Sequence, residues 1–300
     1  MILNIITFLI LLPLVLSYFG SMHPFFDAFN HFRLYLLGAA ILWFALRAVF
    51  GKKDHRTFWW ILAVLFGIYL AWMMRPFSAD DHKTTNKTFR HLQYNINLNN
   101  TKGLKSIRDF ILKNHIDIIT LQEVSPKQKP FFQKLAKDGY RWQAYCMRKT
   151  TNEAVISRYP FIEGSVDCKK HSGMVSARIK MDDTNLTVVS IHLFLPFPYG
   201  QTKQALSLKD RLKSLKKPIL IAGDFNAAPW SHTVDIVAKA SQTKVIPGLR
   251  LSIPTDNRLK PYVPLPIDQV LISQMLSVKQ ISVAPDMGSD HYPIVDMIGY

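Results

Sequence analysis

Cysteine is scarce in this sequence, with two residues in 300, which excludes both a disulfide-rich framework and a four-thiolate metal site. Acidic residues are also few, because 21 Asp and Glu stand against 37 Lys and Arg, giving a formal net charge of +16. Glycine and proline show no collagen-like or low-complexity bias, and 48% of the residues are hydrophobic, too many for a disordered chain. The composition therefore predicts a folded, basic protein of one or two domains.

Charged residues are nearly absent from three long apolar stretches near the N-terminus. The stretches are Ile2–Phe19, Leu34–Phe50 and Phe58–Met74, and only Arg47 interrupts them. Each is about long enough to cross a bilayer core, which takes roughly 17–25 residues. Aromatic residues gather at their ends, as they do at membrane–water interfaces. We therefore expect residues 1–75 to form a membrane anchor with three transmembrane helices.

The charges of the two short connections predict the orientation of this anchor. The second connection, Gly51–Arg56, is the more basic, whereas Ser21–Arg33 carries one Arg and one Asp. Because basic loops stay in the cytoplasm, we expect the chain after Met74 to lie outside. A cleaved signal peptide is the alternative for Ile2–Phe19, but that stretch lacks a basic N-terminal region. The expected location is a multi-pass membrane protein, of the cell inner membrane if bacterial, with an extracytoplasmic domain.

The remaining chain predicts one soluble domain, residues 89–300, joined to the anchor by a polar linker at residues 76–88. Residues 1–75 hold six Lys and Arg and two Asp, so the rest of the chain carries +12 of the net charge. A basic surface suits a polyanionic partner such as nucleic acid or anionic lipid, although solubility alone also explains it.

Short apolar runs alternate with amphipathic segments through this domain. Apolar residues at helical spacing predict helices at Gly103–Asn114 and Thr202–Lys216. The predicted strands are Phe89–Ile96, Ile116–Leu121, Ala154–Ser157, Met174–Lys180, Leu186–Leu193, Pro218–Ala222, Val270–Ile272 and Ile294–Met297. Because strands outnumber helices, the pattern predicts an α/β fold with mixed sheets rather than a doubly wound nucleotide-binding fold.

Polar clusters lie at the ends of most of these predicted strands. Strand ends meet along one rim of a sheet, so residues distant in sequence can form one site there. The clusters contain Asn95, Asn97, Glu123, His192, Asp224, Asn226, Asp268, Asp290 and His291. Taken singly, each has a structural explanation, such as an Asx turn or a solvated strand end. Together they form an oxygen-rich set without cysteine, which suits Mg²⁺ or Mn²⁺.

The order and separation of these clusters resemble the endonuclease/exonuclease/phosphatase superfamily. The similarity extends from about Phe89 to Met297 and rests on Asn95, Glu123, His192, Gly223-Asp224-Phe225-Asn226, Asp268 and Ser289-Asp290-His291. The three preceding apolar stretches are similar to the bacterial membrane-anchored branch. The resemblance implies a four-layer αββα sandwich, in which two packed mixed β-sheets are flanked by helices, preceded by three N-terminal transmembrane helices.

The resemblance, together with elementary phosphoryl chemistry, gives each residue an expected role. Metal ligands are expected at Glu123, Asn95 and Asp290. Catalytic residues are expected at Asp224, Asn226, His192, Asp268 and His291. Substrate contacts are expected at Asn97, Arg148 and Asn152.

Within the catalytic set, the Asp268 carboxylate would fix the tautomer of His291 and raise its basicity. Asp224 would aim or deprotonate the attacking water, and Asn226 would hydrogen-bond the developing oxyanion. His192 would contact the phosphate or protonate the leaving group.

The predicted activity is that of a membrane-anchored, divalent-metal-dependent phosphoesterase that hydrolyses phosphodiester bonds by in-line attack of water. Nuclease-like action is the first expectation, and a sphingomyelinase-like phospholipid phosphodiesterase or a phosphomonoesterase is the alternative. A non-catalytic binding module that keeps the fold is the second alternative. The expected partners are the polyanionic substrate and the lipid bilayer, and no protein partner can be inferred.

Two residues depart from the family pattern, and the state of the two cysteines stays open. Asn97 stands where many nuclease members carry an acidic residue, and Gln269 follows Asp268 where the anchored branch often has His. Cys146 and Cys168 could pair if the domain is extracytoplasmic, whereas two buried free thiols fit the sequence equally well.

Overall fold

The structure is a computed structural model that describes residues 2–78, 87–147, 152–182, 184–253 and 263–300. Within these residues, four helices at the N-terminus precede two six-stranded β-sheets and the helices that cover them.

The N-terminal helices are α1 (Ile2–Leu16), the short α2 (Pro24–Ala28), α3 (Arg33–Phe50) and α4 (Arg56–Met73). Leu14, Leu37, Phe44 and Ala63 are buried where the three long helices pack together. Most of the other apolar side chains of these helices point outward, which is typical of helices that meet lipid rather than water. By length and composition, the three long helices are suited to cross a membrane, as the sequence predicts.

The connection between α1 and α3 is bonded to the domain that follows the N-terminal helices. The domain elements are β1 (Thr88–Asn95), α5 (Leu104–Lys113), β2 (Ile118–Val124), α6 (Lys129–Lys137), β3 (Trp142–Met147), β4 (Asn152–Ser157), β5 (Asp167–Cys168), β6 (Met174–Lys180), β7 (Asn185–His192), α7 (Gln201–Ser207), α8 (Lys209–Lys213), β8 (Ile219–Asp224), α9 (His232–Ser241), β9 (Lys244–Val245), β10 (Asp268–Ile272), β11 (Ser277–Val283) and β12 (Ile294–Gly299).

Asp27, in the connection between α1 and α3, contacts the start of α9. Its buried carboxylate accepts hydrogen bonds from the backbone N–H groups of His232 (2.7 Å) and Thr233 (3.0 Å) and from the Thr233 hydroxyl (2.9 Å). A carboxylate at this position satisfies N–H groups that the first turn of α9 leaves without a helical partner.

The domain strands form two mixed sheets. The first sheet has the order β11-β12-β1-β2-β4-β3, and the second has the order β5-β6-β7-β8-β10-β9. One pair of neighbours in each sheet is parallel, β1 with β2 and β7 with β8, and the other pairs are antiparallel. A parallel pair needs a crossover, and helices α5 and α7–α8 lie in the two connections.

Three apolar cores separate the layers of the domain. Side chains such as Phe89 and Val155 from the first sheet meet Val188 and Leu220 from the second in the core between the sheets. A second core lies between the first sheet and helices α5 and α6, and a third lies between the second sheet and helices α7, α8 and α9. The architecture is therefore the predicted four-layer αββα sandwich.

The segment predicted as one helix, Thr202–Lys216, forms two short helices instead. The Ser207 hydroxyl donates to the carbonyl of Gln204 (2.7 Å), and the N–H of Leu208 is shared between the carbonyls of Gln204 and Ala205. Such local hydrogen bonds compete with the regular helical ladder and bend helices. Ala205, Leu208 and Leu212 are nevertheless all buried, so the predicted apolar face is present.

Cys146 and Cys168 are joined by a disulfide, which settles the alternative that the sequence left open. Cys146 lies in β3 of the first sheet and Cys168 in β5 of the second. The bond therefore connects the edge strands of the two sheets.

Candidate active site

The parallel strand pairs of the two sheets end at the same end of the sandwich. The strands β2 and β7 are in contact across the sheets, since the Ser190 hydroxyl donates to the Leu121 carbonyl (2.9 Å) and accepts from Gln122 Nε2 (2.9 Å). Strand β10 begins at this end as well, with Asp268 paired to Asp224 in the antiparallel ladder with β8. Residues from several distant segments therefore meet here.

Unusual backbone conformations turn three polar side chains into the site. Asn97, Glu123 and Asn226 have φ angles of 59°, 56° and 47°, in the left-handed region that most residues avoid. Glu123 lies in a bulge, where the register between β2 and β4 shifts between Leu121 and Val124. Bulges re-aim side chains beside active sites, and strained backbone is frequent there.

The Gly-Asp-Phe-Asn segment has two local constraints. A Cβ atom at Gly223 would lie 1.9 Å from the Ile191 carbonyl oxygen, so only glycine fits beside β7. The backbone N–H of Asn226 donates to Asp224 Oδ1 (2.8 Å), which makes an Asx turn. The turn holds the Asp224 carboxylate at the end of β8.

Asn95 connects two carboxylates from different sheets. Its amide nitrogen Nδ2 lies 3.2 Å from Glu123 Oε1 and 3.0 Å from Asp224 Oδ2. The other Glu123 oxygen, Oε2, accepts a hydrogen bond from the backbone N–H of Leu98 (3.2 Å). The predicted metal ligands Asn95 and Glu123 thus lie beside the predicted catalytic Asp224.

The predicted carboxylate–imidazole pair is formed. His291 Nδ1 lies 2.7 Å from Asp268 Oδ2, and His291 Nε2 lies 3.6 Å from Asp224 Oδ2. The second Asp268 oxygen, Oδ1, accepts a hydrogen bond from Gln93 Nε2 (3.0 Å). His291, Asp224, Asp268 and Gln93 are all buried, so the carboxylate is held on both sides in a region with little water.

Burial and neighbouring charges shift the protonation of this group. Burial alone would lower the pKa of His291, but the Asp268 and Asp224 carboxylates overcome it and raise the pKa to about 10. Burial also raises the pKa of Asp224, with Asp268 adding to the rise and the two histidines opposing it. The two carboxylates therefore favour the charged form of the His291 imidazole.

His192 approaches the same carboxylate from the second sheet. Its Nε2 lies 3.5 Å from Asp224 Oδ2, and its Nδ1 lies 4.0 Å from Glu153 Oε1. The Glu153 side chain is fully buried in β4, whereas that of His192 is partly exposed. The His192 ring is therefore partly exposed and lies close to two acidic groups.

Asp290 and Asn97 form a pair at the margin of the site. Asn97 Nδ2 donates to Asp290 Oδ1 (2.9 Å), and both residues are partly exposed. The Ser289 hydroxyl donates to the Asn95 carbonyl (2.7 Å) and accepts from the N–H of His291 (3.2 Å). The Ser-Asp-His segment is thereby bonded to the end of β1.

The remaining predicted residues differ in their placement. Asn226 Nδ2 donates to the Leu193 carbonyl (3.0 Å), which leaves one N–H of the amide for a ligand. Asn152 opens β4 and pairs with Val124, next to Glu123. Arg148 lies outside the described residues.

Two adjoining sets of side chains could hold a divalent cation. Asp224, Asp268 and His291 offer ligand atoms within 4.8 Å of one another. The set predicted from the sequence includes Glu123 and Asn95, which adjoin the first set through the contact of Asn95 with Asp224. Carboxylate and amide oxygens dominate this region, and they are the ligands that Mg²⁺ and Mn²⁺ prefer.

Two site residues escape the sequence-based prediction. Gln93 belongs to the alternating polar series His91, Gln93 and Asn95 in β1, and this alternation is the signal that could have identified it. Glu153 is an acidic residue inside a buried strand, which is uncommon without a functional reason.

The chain belongs to the Endonuclease/Exonuclease/phosphatase family, which matches residues 92–291. This match confirms the family to which the sequence motifs point. None of the curated proteins compared with the chain matches it.

Solved structures with the same fold include proteins with different activities. TDP2 of D. rerio, solved with a single-strand DNA product, is 16% identical, with a TM-score of 0.58 over 72% of this chain and 100% of that one. A family protein from Beutenbergia cavernae is 17% identical, with a TM-score of 0.59 over 71% of this chain and 72% of that one. A mannosyl-6-phosphatase of Bacteroides thetaiotaomicron is 15% identical, with a TM-score of 0.58 over 71% of this chain and 100% of that one. At these identities the likeness establishes the fold alone.

Proposed function

We propose that this protein is a membrane-anchored, divalent-metal-dependent phosphodiesterase that activates water for in-line attack. The observation that carries the proposal is the convergence of acidic, amide and imidazole side chains at one end of the sandwich. A phosphodiester needs charge neutralisation, an aimed water and a protonated or metal-bound leaving oxygen. The residues around Asp224 are of the types that supply all three.

Mg²⁺ or Mn²⁺ is the proposed cofactor, with Glu123 as its main ligand and Asn95 and Asp290 in support. These residues fit a cation because the carboxylates of the site outnumber its two histidines, His192 and His291. This local excess of acidic groups occurs in a chain whose net charge is +16. When bound, the ion polarises a phosphoryl oxygen and neutralises charge that develops on it.

We assign water activation to Asp224 and phosphate contact to the charged imidazole of His291. The raised pKa of Asp224 makes it a stronger base than an ordinary carboxylate. The raised pKa of His291, about 10, makes it a poor base but a good hydrogen-bond donor at neutral pH. Asp268 then keeps the imidazole charged and oriented.

His192 and Asn226 complete the proposed set. His192 has a partly exposed ring close to Asp224 and would contact the phosphate or protonate the leaving oxygen. The free N–H of the Asn226 amide would stabilise the developing oxyanion. Asn97, Asn152 and Arg148 are proposed substrate contacts around the rim.

Nucleic acid is the first candidate substrate, because the chain beyond residue 75 carries a charge of +12 and phosphate contacts favour such a surface. A phospholipid is the second candidate. The observation that favours it is the row of exposed apolar side chains, Phe194 to Tyr199, directly after His192.

We also propose that the catalytic domain is extracytoplasmic. The contacts of Asp27 with the domain support a topology in which the Ser21–Arg33 connection and the domain share one side of the membrane. The basic connection between α3 and α4 is then cytoplasmic. The Cys146–Cys168 disulfide supports this location, because disulfides persist in oxidising compartments.

The test is hydrolysis by the full-length protein in detergent, with Mg²⁺, Mn²⁺ or a chelator. The substrates are single-stranded DNA, RNA, sphingomyelin vesicles and a soluble aryl phosphodiester. We expect metal-dependent hydrolysis that falls by roughly 10²-fold or more in Asp224→Asn, because the water loses its base. Asp235→Asn, a change on the surface of α9, is the matched control and should retain full activity. Absence of hydrolysis of every substrate by the wild type would refute the proposal.

A further inference from the structure

The segment that follows His192 presents large apolar side chains to the surroundings. Leu195, Phe197 and Tyr199 are 52%, 45% and 66% exposed, and Phe194 is 43% exposed. A group of this kind on a soluble surface usually marks an interaction site. Because the group begins two residues after His192, anything that covers it also lies at the mouth of the active site.

The connection between α1 and α3 extends this apolar group. The Phe197 ring lies 5.6 Å from the Phe25 ring and 5.8 Å from the His23 ring, measured between centroids. Phe25 and Met22 are themselves 43% and 72% exposed. Met22, Phe25, Phe194, Leu195, Phe197 and Tyr199 are therefore called the apolar rim.

The apolar rim continues the apolar surface of the anchor. The helix α1 with its final turn ends at Phe19, and α3 begins at Arg33, whose guanidinium lies 4.2 Å from the centre of the Tyr18 ring. Tyr and Arg at the ends of apolar helices are typical of the membrane–water interface. The residues between these helix ends therefore lie at the level of the headgroups if the helices span the bilayer.

Buried hydrogen bonds hold the catalytic domain against the connection between α1 and α3. Besides the contacts of Asp27, His31 Nε2 lies 2.7 Å from the Asn226 carbonyl oxygen, and Trp230 Nε1 donates to the Asn30 carbonyl (2.8 Å). Asn30 and His31 are buried. The connection is thus bonded directly to the active-site segment that contains Asn226.

We propose that the active-site rim rests on the bilayer, with the apolar rim inserted among the lipid headgroups. The proposal rests on the membrane anchoring proposed above. Two observations favour lipid over a second protein as the occupant. The apolar rim is continuous with helices suited to the membrane, and the chain beyond residue 75 carries a net charge of +12, which attracts anionic headgroups. A phosphodiester in the headgroup layer would then reach Asp224 without leaving the membrane surface.

The test places one fluorescent label at a time on the full-length protein in phospholipid vesicles. Leu195→Cys puts the label on the apolar rim, and Val64→Cys puts it on the exposed middle of α4. Trp142→Cys is the matched control, because Trp142 is 41% exposed and pairs with Ser157 at the end of the first sheet remote from Glu123. Since Cys146 and Cys168 are bonded to each other, a thiol reagent labels the introduced cysteine.

Quenching by nitroxide lipids gives the result. We expect the Leu195 label to be quenched best by a nitroxide near the headgroup, and to lose at least about twice as much emission as the Trp142 label. The Val64 label should be quenched best by a nitroxide near the end of the acyl chain. Quenching at Val64 but not at Leu195 would overturn the proposal while leaving the anchor intact. Absence of quenching at both would overturn the anchor and this proposal together, whereas lack of hydrolysis would bear only on the proposed activity.

Discussion

The protein buries two aspartate–histidine pairs that make almost the same contact. His291 Nδ1 lies 2.7 Å from Asp268 Oδ2, and His91 Nδ1 lies 2.9 Å from Asp296 Oδ2. All four side chains are buried. The contact itself therefore does not distinguish the pair in the candidate active site from the pair in the interior.

The pairs differ at the second ring nitrogen. His91 Nε2 lies 2.9 Å from the Thr120 hydroxyl, so both of its nitrogens are occupied inside the sandwich. His291 Nε2 lies 3.6 Å from Asp224, beside the partly exposed His192. An aspartate–histidine pair can act on a substrate only when the second nitrogen reaches the cleft. His91 serves the packing of the interior, and His291 is available for chemistry.

A hydrogen-bonded chain connects the two pairs through Gln93. The Thr120 hydroxyl, which contacts His91, donates to Gln93 Oε1 (3.1 Å). Gln93 Nε2 in turn donates to Asp268 Oδ1 (3.0 Å). The polar inner side of β1 therefore links the interior pair to the candidate catalytic pair.

Replacing each histidine by glutamine should give the largest effects on activity and stability. His291→Gln should lower kcat/KM on the aryl phosphodiester by roughly 10²–10⁴-fold, because the charged donor to the phosphate is lost. His91→Gln should leave kcat/KM within about threefold but lower the free energy of unfolding by about 3 kcal/mol, because Asp296 loses its buried partner. The measurements are steady-state kinetics and denaturant unfolding of both variants.

Equal losses of activity in the two variants would contradict the comparison, since both pairs would then serve the reaction. Equal losses of stability with unchanged activity would mean that neither pair serves the reaction. Ser277→Ala is a suitable control for a buried polar change, because Ser277 pairs with Gly299 whereas Asp296 pairs with Ile281, and it should affect neither readout strongly.

The sequence identifies the candidate catalytic pair better than the interior one. Asp268 and His291 lie in segments that follow the family pattern, so their meeting could be expected. His91 carries no such motif, and its partner Asp296 lies in the last strand, 205 residues away. Only the pairing of β1 with β12 brings the two together, and a single sequence does not contain that register.

The burial of each strand decides whether the sequence predicts it. The strands that contain continuous apolar runs, such as Pro218–Ala222, were predictable because both faces are buried in the sandwich. The edge strand β11 was not, because its outer residues are exposed and interrupt the apolar pattern. The bond between Asp27 and α9 had no local signal at all, since its partners lie more than 200 residues apart.

Breaking the hydrogen-bonded chain at Gln93 should lower activity less than His291→Gln does. Gln93→Leu keeps the size of the side chain but leaves Asp268 Oδ1 without its donor, so we expect kcat to fall by roughly 10-fold with KM little changed. Thr120→Val is the matched control, because it breaks the contact of Gln93 with the interior pair and spares Asp268. A comparable fall of kcat in Thr120→Val would show that the interior pair contributes to catalysis through the chain.

The pH dependence of stability tests the charge of the His291 imidazole directly. The ordinary pKa of a histidine is 6.5, and the Asp268 and Asp224 carboxylates raise that of His291 to about 10 in the folded protein despite its burial. Between these pH values the folded protein holds a proton that the unfolded chain releases. The stabilisation is therefore complete below pH 6.5 and is lost as the pH rises to about 10.

Thermal unfolding of the wild type and His291→Gln in the presence of a chelator measures this effect, because the variant lacks the titrating group. The difference between the two midpoints should be largest on the acidic side of this window and should shrink toward its alkaline end. A difference that stays constant across the window would mean that His291 binds no extra proton on folding. His291 would then resemble an ordinary buried histidine, and the assignment of its charged form to the phosphate would fail, while the geometric difference between the two pairs would stand.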